Sequence, residues 1–284
     1  MRLKDAFEAY LIHVQKYRAK GTHLYYRKNY KTLNPILDSL GYLEAADIDD
    51  HFFERIIDYL LANTEKKNSK INDMISSVIT ALNFSGIKFP RRFKLKNDTE
   101  SFKALSEDEL DALLKYIGKL DLKRSNNLAW SLAIRLFLDT GVRFSEILDL
   151  KFEDVDFKLE MIRLRHTKNN ERRIVFYNVL SRDLLMMAKR KKKDYVLWNY
   201  VTDQKLNQRS LEHFFEKLND HLKLDQRIHA HRLRKTFATR MLWKGCPLTT
   251  ISKLLGHKDI RQTMIYLEID QVILSRDYQE FYPF

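Results

Sequence analysis

Helical periodicity runs through most of this chain and fails once, between residues 87 and 103. There Lys88-Phe89-Pro90-Arg91-Arg92-Phe93-Lys94-Leu95-Lys96 is basic, aromatic and aperiodic. A chain of 284 residues exceeds the usual size of one domain, and a break of this kind divides it into two cores. The expected organisation is a helical domain over residues 1–86, a basic linker over 87–104 and a larger domain over 105–284. Seven glycines and four prolines are few for a turn-rich β fold, so helices should dominate both cores.

Ahead of the break, Ala6, Phe7, Tyr10, Leu11, Val14 and Tyr17 recur at helical spacing. A second helix is expected over residues 23–40, with Gly41 past its end. Asp47 and Asp50 bracket the acidic start of a third helix carrying Phe52, Phe53, Ile56, Ile57, Leu60 and Leu61, and a fourth should span residues 69–84. The basic residues on these helices, Lys28 and Lys31 among them, fit a solvated face as well as a DNA-facing one. The linker, with Arg91 and Arg92, equally fits a tether or a segment tracking a DNA backbone.

Beyond the break, Ser106-Glu107-Asp108-Glu109 opens a helix with Leu110, Leu113, Leu114 and Ile117 on its apolar face. An apolar helix over residues 127–139 ends in Thr140-Gly141-Val142-Arg143-Phe144-Ser145-Glu146, and another short helix is expected over 145–150. Two alternating runs, Met161 to His166 and Arg173 to Tyr177, flank Thr167-Lys168-Asn169-Asn170-Glu171-Arg172 and predict a β-hairpin with a cationic turn. A lysine in such a turn is commonly just solvated, yet it is also placed to swing into a groove and donate a proton. Tyr195 to Trp198 is expected to form a short strand, and residues 210–222 an amphipathic helix.

The net charge of +13 points to a polyanionic partner, because lysines and arginines that neutralise phosphates release condensed counterions. No apolar run approaches a membrane span, and the N-terminal residues lack a secretory signal. Cys246 is the only cysteine, so no intrachain disulfide and no cysteine-based zinc site is expected, and a reducing cytoplasm fits.

Chemistry concentrates between His231 and Tyr266. His231-Arg232-Leu233-Arg234-Lys235-Thr236 sets His231 and Arg234 three apart, on one helix face, where both can address one phosphate. The planar arginine fork matches two nonbridging oxygens, and Arg143 is the candidate second clamp on the charge of a pentavalent transition state. Leu254-Leu255-Gly256-His257 ends a helix at a C-cap glycine, and Tyr266 follows nine residues after His257. With 14 tyrosines in the chain, Tyr266 alone would be an ordinary core residue.

Taken in order, T-G-V-R-F-S-E, the hairpin lysine, H-R-L-R-K-T-F-A-T, L-L-G-H and the tyrosine resemble the tyrosine recombinase (phage integrase) family, and most closely its compact, two-domain Xer-like members. The motifs cover residues 106–266; over the first 86 residues only the helical pattern matches. The resemblance implies a mainly α fold with a small β-hairpin or sheet. It joins a four-helix, SAM-like core-binding domain to an α+β catalytic domain, together closing as a C-shaped clamp on DNA. It implies site-specific recombination through a 3′-phosphotyrosyl link and a Holliday junction. Tyr266 would be the nucleophile, Arg143 and Arg234 would hold the nonbridging oxygens, and His257 would donate a further hydrogen bond. His231 would accept the tyrosine proton, Lys168 would protonate the departing 5′-oxygen, and Glu146 would orient an arginine or histidine. Arg172 and Arg173 compete with Lys168 for the hairpin role. Lys235 stands where many members have a second histidine, and a phosphate or structural contact is expected of it. His229, two before His231, should lie outside the site. No metal, ATP or other cofactor is implied. The partners implied are double-stranded DNA with a specific site and a homotetramer assembled through a C-terminal tail at about residues 268–284. The rival functions are a type IB topoisomerase-like DNA-relaxing enzyme and a noncatalytic DNA-binding protein of the same fold.

Overall fold

The computed structural model describes residues 1–88, 94–96, 103–124, 126–165, 173–257, 259–266 and 279–280, without the side chains of residues 262, 265 and 266. Arg91, Arg92, Lys168, the tail at 268–278 and 281–284, and the Tyr266 side chain therefore lie outside the described residues. Backbone contacts divide the chain into two compact units, Met1–Glu100 and Ser101–Phe284.

The first unit packs four helices, α1 (Leu3–Tyr17), α2 (Lys20–Ser39), α3 (Phe52–Asn63) and α4 (Asn68–Phe84). Their apolar stripes meet in one core that contains Phe7, Tyr30, Leu33, Phe52, Ile56, Leu60, Ile71 and Val78, with Phe7 and Tyr30 stacked at 4.4 Å. A buried polar tie fixes α2 against α4: Asn29 Nδ2 donates to Ser77 Oγ at 2.7 Å, and Asn29 Oδ1 accepts from Lys70 Nζ. Lys28 and Lys31 are exposed on α2.

Two local expectations need correction. Helix α3 starts at Phe52, and its N-cap, His51, makes no side-chain cap; Asp47 accepts from Leu43 N and Glu44 N and closes the 3-10 turn Ala45–Asp47, while Asp49 Oδ1 accepts from His51 N at 3.1 Å. Residues 95–96, placed in the linker by their aperiodicity, belong to the first unit. The Asn72 amide exchanges two hydrogen bonds with the Leu95 backbone, at 2.8 and 2.9 Å, as a strand partner would, and Asn68 Nδ2 donates to the Lys96 carbonyl.

The second unit comprises α5 (Glu107–Gly118), α6 (Asn127–Thr140), α7 (Phe144–Leu148), α8 (Val179–Lys189), α9 (Gln208–Leu222), α10 (Ala230–Trp243), α11 (Leu248–Leu255) and α12 (Ile260–Tyr266). A three-stranded antiparallel sheet runs β1 (Val155–Asp156), β2 (Met161–Leu164) and β3 (Arg173–Phe176), in that order, with Leu164 opposite Arg173 where the hairpin opens. A second hairpin pairs β4 (Trp198–Asn199) with β5 (Gln204–Lys205). The strand expected over residues 195–198 is thus shifted: Tyr195 makes only an isolated bridge to Lys151, and the ladder starts at Trp198, where Asp203 at φ +51° closes the turn. β1 is too short for its alternation to be seen in sequence. The architecture is the mainly helical, small-sheet fold expected, and among the described residues no helix is long and apolar enough to cross a membrane.

Helix α5 begins with the expected capping box, Ser106 Oγ accepting from Glu109 N while Glu109 Oε2 accepts from Ser106 N. The other Glu109 oxygen joins it in receiving Arg232 Nη2, at 2.7 and 2.6 Å, and Arg232 also donates to the Lys103 and Gln226 carbonyls. Arg232 is 2 % exposed, so this buried pair pins α10 to the opening of the unit and aims the neighbouring Arg234 into its interior.

Candidate active site

Two chain reversals converge to form the site. α6 ends at Gly141, in the left-handed region at φ +59°, which turns the chain directly into Arg143. A Cβ at Gly141 would lie 2.5 Å from Phe237 Cδ1 and 2.9 Å from Leu255 Cδ2, so α10 and α11 pack where a side chain would be. α11 ends at Gly256, φ +65°, where a Cβ would meet Arg173 Cδ at 2.9 Å. Glycine is required at both turns by conformation and by space.

Arg143 is the N-cap of α7 and shares a capping box with Glu146: Glu146 Oε2 accepts from Arg143 N at 2.7 Å, and Oε1 from Arg143 Nη1 at 3.0 Å. Arg143 Nη2 donates to the Gly256 carbonyl at 2.7 Å. Glu146, 3 % exposed, also receives a two-pronged pair from Arg173, Nη1 to Oε1 and Nη2 to Oε2, both 2.6 Å. Arg173 Nε donates to Leu254 O at 2.9 Å. Burial alone would push the Glu146 carboxyl up; the hydrogen bonds and charge of Arg173, followed by the bonds from Arg143, outweigh it and hold the group below the usual carboxylate range.

Arg234, 2 % exposed, donates Nη1 to the Gly141 carbonyl and Nη2 to the Leu255 carbonyl at 2.6 Å. Its Nη2 also lies 3.0 Å from His257 Nε2, and His257 Nδ1 lies 2.8 Å from Thr263 Oγ1 on α12. A guanidinium only donates, so Nε2 accepts and the ring proton resides on Nδ1, facing Thr263. Burial first, then Arg234, Arg143 and Arg173, push the His257 pKa down to about 4, which leaves the ring neutral.

The hydrogen bonds therefore gather Arg143, Arg234, His257 and Glu146 into one cluster. His231 lies on α10 one turn before Arg234 and is exposed, while Arg234 is buried. His229 caps α10, its Nδ1 accepting from Arg232 N at 3.3 Å. The chain reaches Tyr266 as the last residue of α12, three after Thr263. Lys235, next to Arg234 on α10, is 3 % exposed, as buried as Arg234 itself.

Two features differ from the sequence reading. The resemblance implies that His257 donates to a phosphate; as folded, its Nε2 accepts from Arg234 and its proton is turned to Thr263. Arg173 was weighed only as a substitute for the hairpin lysine, whereas it binds the carboxylate behind Arg143. The signal was present in strand parity, since Arg173 shares its side of β3 with the fully buried Val175.

The family model described as the phage integrase family matches residues 103–271. The probable integrase/recombinase of Acholeplasma phage L2 is 29% identical to this chain over 267 residues, 90% of each protein. Tyrosine recombinase XerA of Saccharolobus solfataricus is 37% identical over 177 residues, which is 62% of this chain and 55% of that relative. Among solved structures, a fragment of the Tn1549 transposon integrase in complex with a circular intermediate DNA superposes with a TM-score of 0.81 at 18% identity, covering 99% of each chain. The crystal structure of XerA recombinase superposes with a TM-score of 0.55 at 21% identity, covering 99% of this chain and 98% of that one.

Proposed function

The chain belongs to the phage integrase family of tyrosine recombinases, enzymes that cut and rejoin DNA at specific sites, and from that premise we propose how its own residues divide the work. Tyr266 attacks the scissile phosphorus, forming the Tyr266 Oη–P bond as the P–O5′ bond breaks. His231 takes the phenolic proton as general base, a role for which imidazole is commonly used. Lys168 gives a proton to the departing 5′-oxygen. Arg143 and Arg234 bind the nonbridging oxygens and stabilise the charge that grows on them. Glu146 holds Arg143, and His257 holds Arg234. The phosphodiester energy is kept in the covalent link, so attack by a 5′-hydroxyl on the phosphotyrosine reseals a strand without ATP or metal.

The observation that carries this reading is the single cluster of two arginines, a neutral histidine and a shared carboxylate, reached from the helix that ends in Tyr266. A protein retained only for DNA binding has no need to set two guanidiniums on one buried carboxylate beside a third, buried guanidinium held by a neutral imidazole. The finer reading is a homotetramer assembled through residues 268–284, with strand exchange through a Holliday junction. The first unit contacts DNA through Lys28, Lys31, Arg91 and Arg92.

Covalent trapping tests it. The full chain is incubated in EDTA with nicked fragments of the DNA that flanks its own gene, then resolved on a denaturing gel beside Tyr266→Phe. An adduct lost in the variant, with the label on the Tyr266 peptide, is the expected result. An adduct that persists in Tyr266→Phe assigns the nucleophile elsewhere.

A further inference from the structure

The His257–Thr263 contact has no part in the division of labour above. Thr263 is fully buried, and its hydroxyl faces the one ring proton of His257 at 2.8 Å. The opposite ring nitrogen takes Arg234 at 3.0 Å. Thr263 precedes Tyr266 by three residues on α12, and residues so spaced share a helix face. The ring thus stands between the helix that carries the nucleophile and the arginine that binds its target.

We propose that Thr263 is a positioning residue: by accepting the Nδ1 proton of His257 it fixes the ring so that Nε2 receives Arg234, tying the Tyr266 helix to the phosphate clamp. The inference rests on the assignment of Tyr266 and Arg234 above. An imidazole has one proton to place when neutral, so the two bonds are not independent. If Thr263 leaves, the proton is free to move to Nε2, and a protonated Nε2 meets a guanidinium that can only donate. Docking of α12 and aiming of Arg234 then become one event, and a subunit whose α12 is displaced also has a misaimed arginine.

Three measurements test this on the full chain. The first is the rate of adduct formation on nicked DNA for Thr263→Val, which keeps the shape and removes the hydroxyl, and for Thr263→Ser, which keeps the hydroxyl. About tenfold or greater loss is expected for valine, as for one hydrogen bond lost from a transition state, with serine restoring most of it. The second is DNA affinity, expected to be unchanged in both. The third is the His257 tautomer from nitrogen-15 NMR, its signal assigned by its absence in His257→Gln. The wild type and Thr263→Ser should show the proton on Nδ1, and Thr263→Val should shift a measurable part of the population to Nε2 against the preference set by Arg234, which a merely structural role would not do.

Equal losses for valine and serine, or a wild-type rate for valine, overturn the inference. Should Thr263→Val fail to fold, the wild-type tautomer still decides, because a ring protonated on Nε2 overturns it. Tyr266→Phe, run alongside, keeps the two readings apart. Adducts surviving in that variant refute the assignment of the nucleophile, whereas a wild-type rate for Thr263→Val with adducts still on Tyr266 refutes only the coupling.

Discussion

Replacing Glu146 with glutamine removes one charge and almost no volume, and its cost follows from what surrounds the carboxylate. Four donors converge on two oxygens, three from the Arg173 and Arg143 side chains and one from the Arg143 backbone. Glutamine offers one oxygen and an amide that itself donates, so at least one close pair becomes donor against donor. Arg173, with a side chain only 7% exposed, loses its counter-charge. Breaking a buried pair by removing one partner costs about 3–5 kcal/mol, a large share of ordinary domain stability. For a unit of this size that lowers the melting temperature by roughly 6–20 °C. Trp130, Trp198 and Trp243 are the three tryptophans of the chain and all lie in the second unit, so their fluorescence reports its unfolding alone.

Adding Arg173→Met should recover part of the loss, because the orphaned charge leaves with the arginine. The Glu146 carboxyl is held below its usual value, so its contribution is complete above the unfolded carboxyl pKa and disappears as pH falls through the lower folded value. The wild type and Glu146→Gln should therefore converge in acid. A loss under about 1 kcal/mol at neutral pH, or no recovery in the double variant, would refute the claim that this pair is desolvated and indispensable.

Gly141→Ala should destabilise the second unit more than Gly256→Ala: both force a positive φ worth about 1–2 kcal/mol, but the first also drives a Cβ into the Phe237 ring and the second only into a flexible arginine stem. Tryptophan fluorescence against denaturant checks the order. His257 should give stability that rises with pH between its folded value of about 4 and its unfolded value of 6.5 and is flat above, since the unfolded state binds the extra proton in that window. The limb should be missing in His257→Gln. Ser77→Ala leaves the Asn29 amide without its buried acceptor and should cost about 1–3 kcal/mol in the first unit, read by amide exchange along α2 and α4.

The motif arginines and histidines were legible because helix spacing and glycine turns are local properties. Gly141 and Gly256 announced both reversals, and the capping box at Ser106 set the start of α5. What escaped is nonlocal. Nothing near Arg173 in sequence says that Glu146, 27 residues earlier, waits for it. Thr263 carries no local signal, since a threonine inside a helix is ordinary until a histidine proton faces it. The direction of His257 depends on which nitrogen meets Arg234, a fact of three-dimensional packing. The Asn72–Leu95 exchange was hidden for the same cause, since an amide standing in for a strand leaves no period to detect.

The described cluster carries three guanidiniums against one carboxylate and a neutral imidazole, a net charge of plus two. An intact phosphodiester carries minus one, while the five-coordinate species on the way to phosphotyrosine carries about one charge more. Under the proposed assignment Lys168 adds a further positive charge, so the site is over-positive toward its substrate and comes closer to balance at the top of the barrier, which is where binding energy accelerates a reaction. The shared Glu146 trims that surplus: without it the surplus would grow and hold intact DNA too tightly.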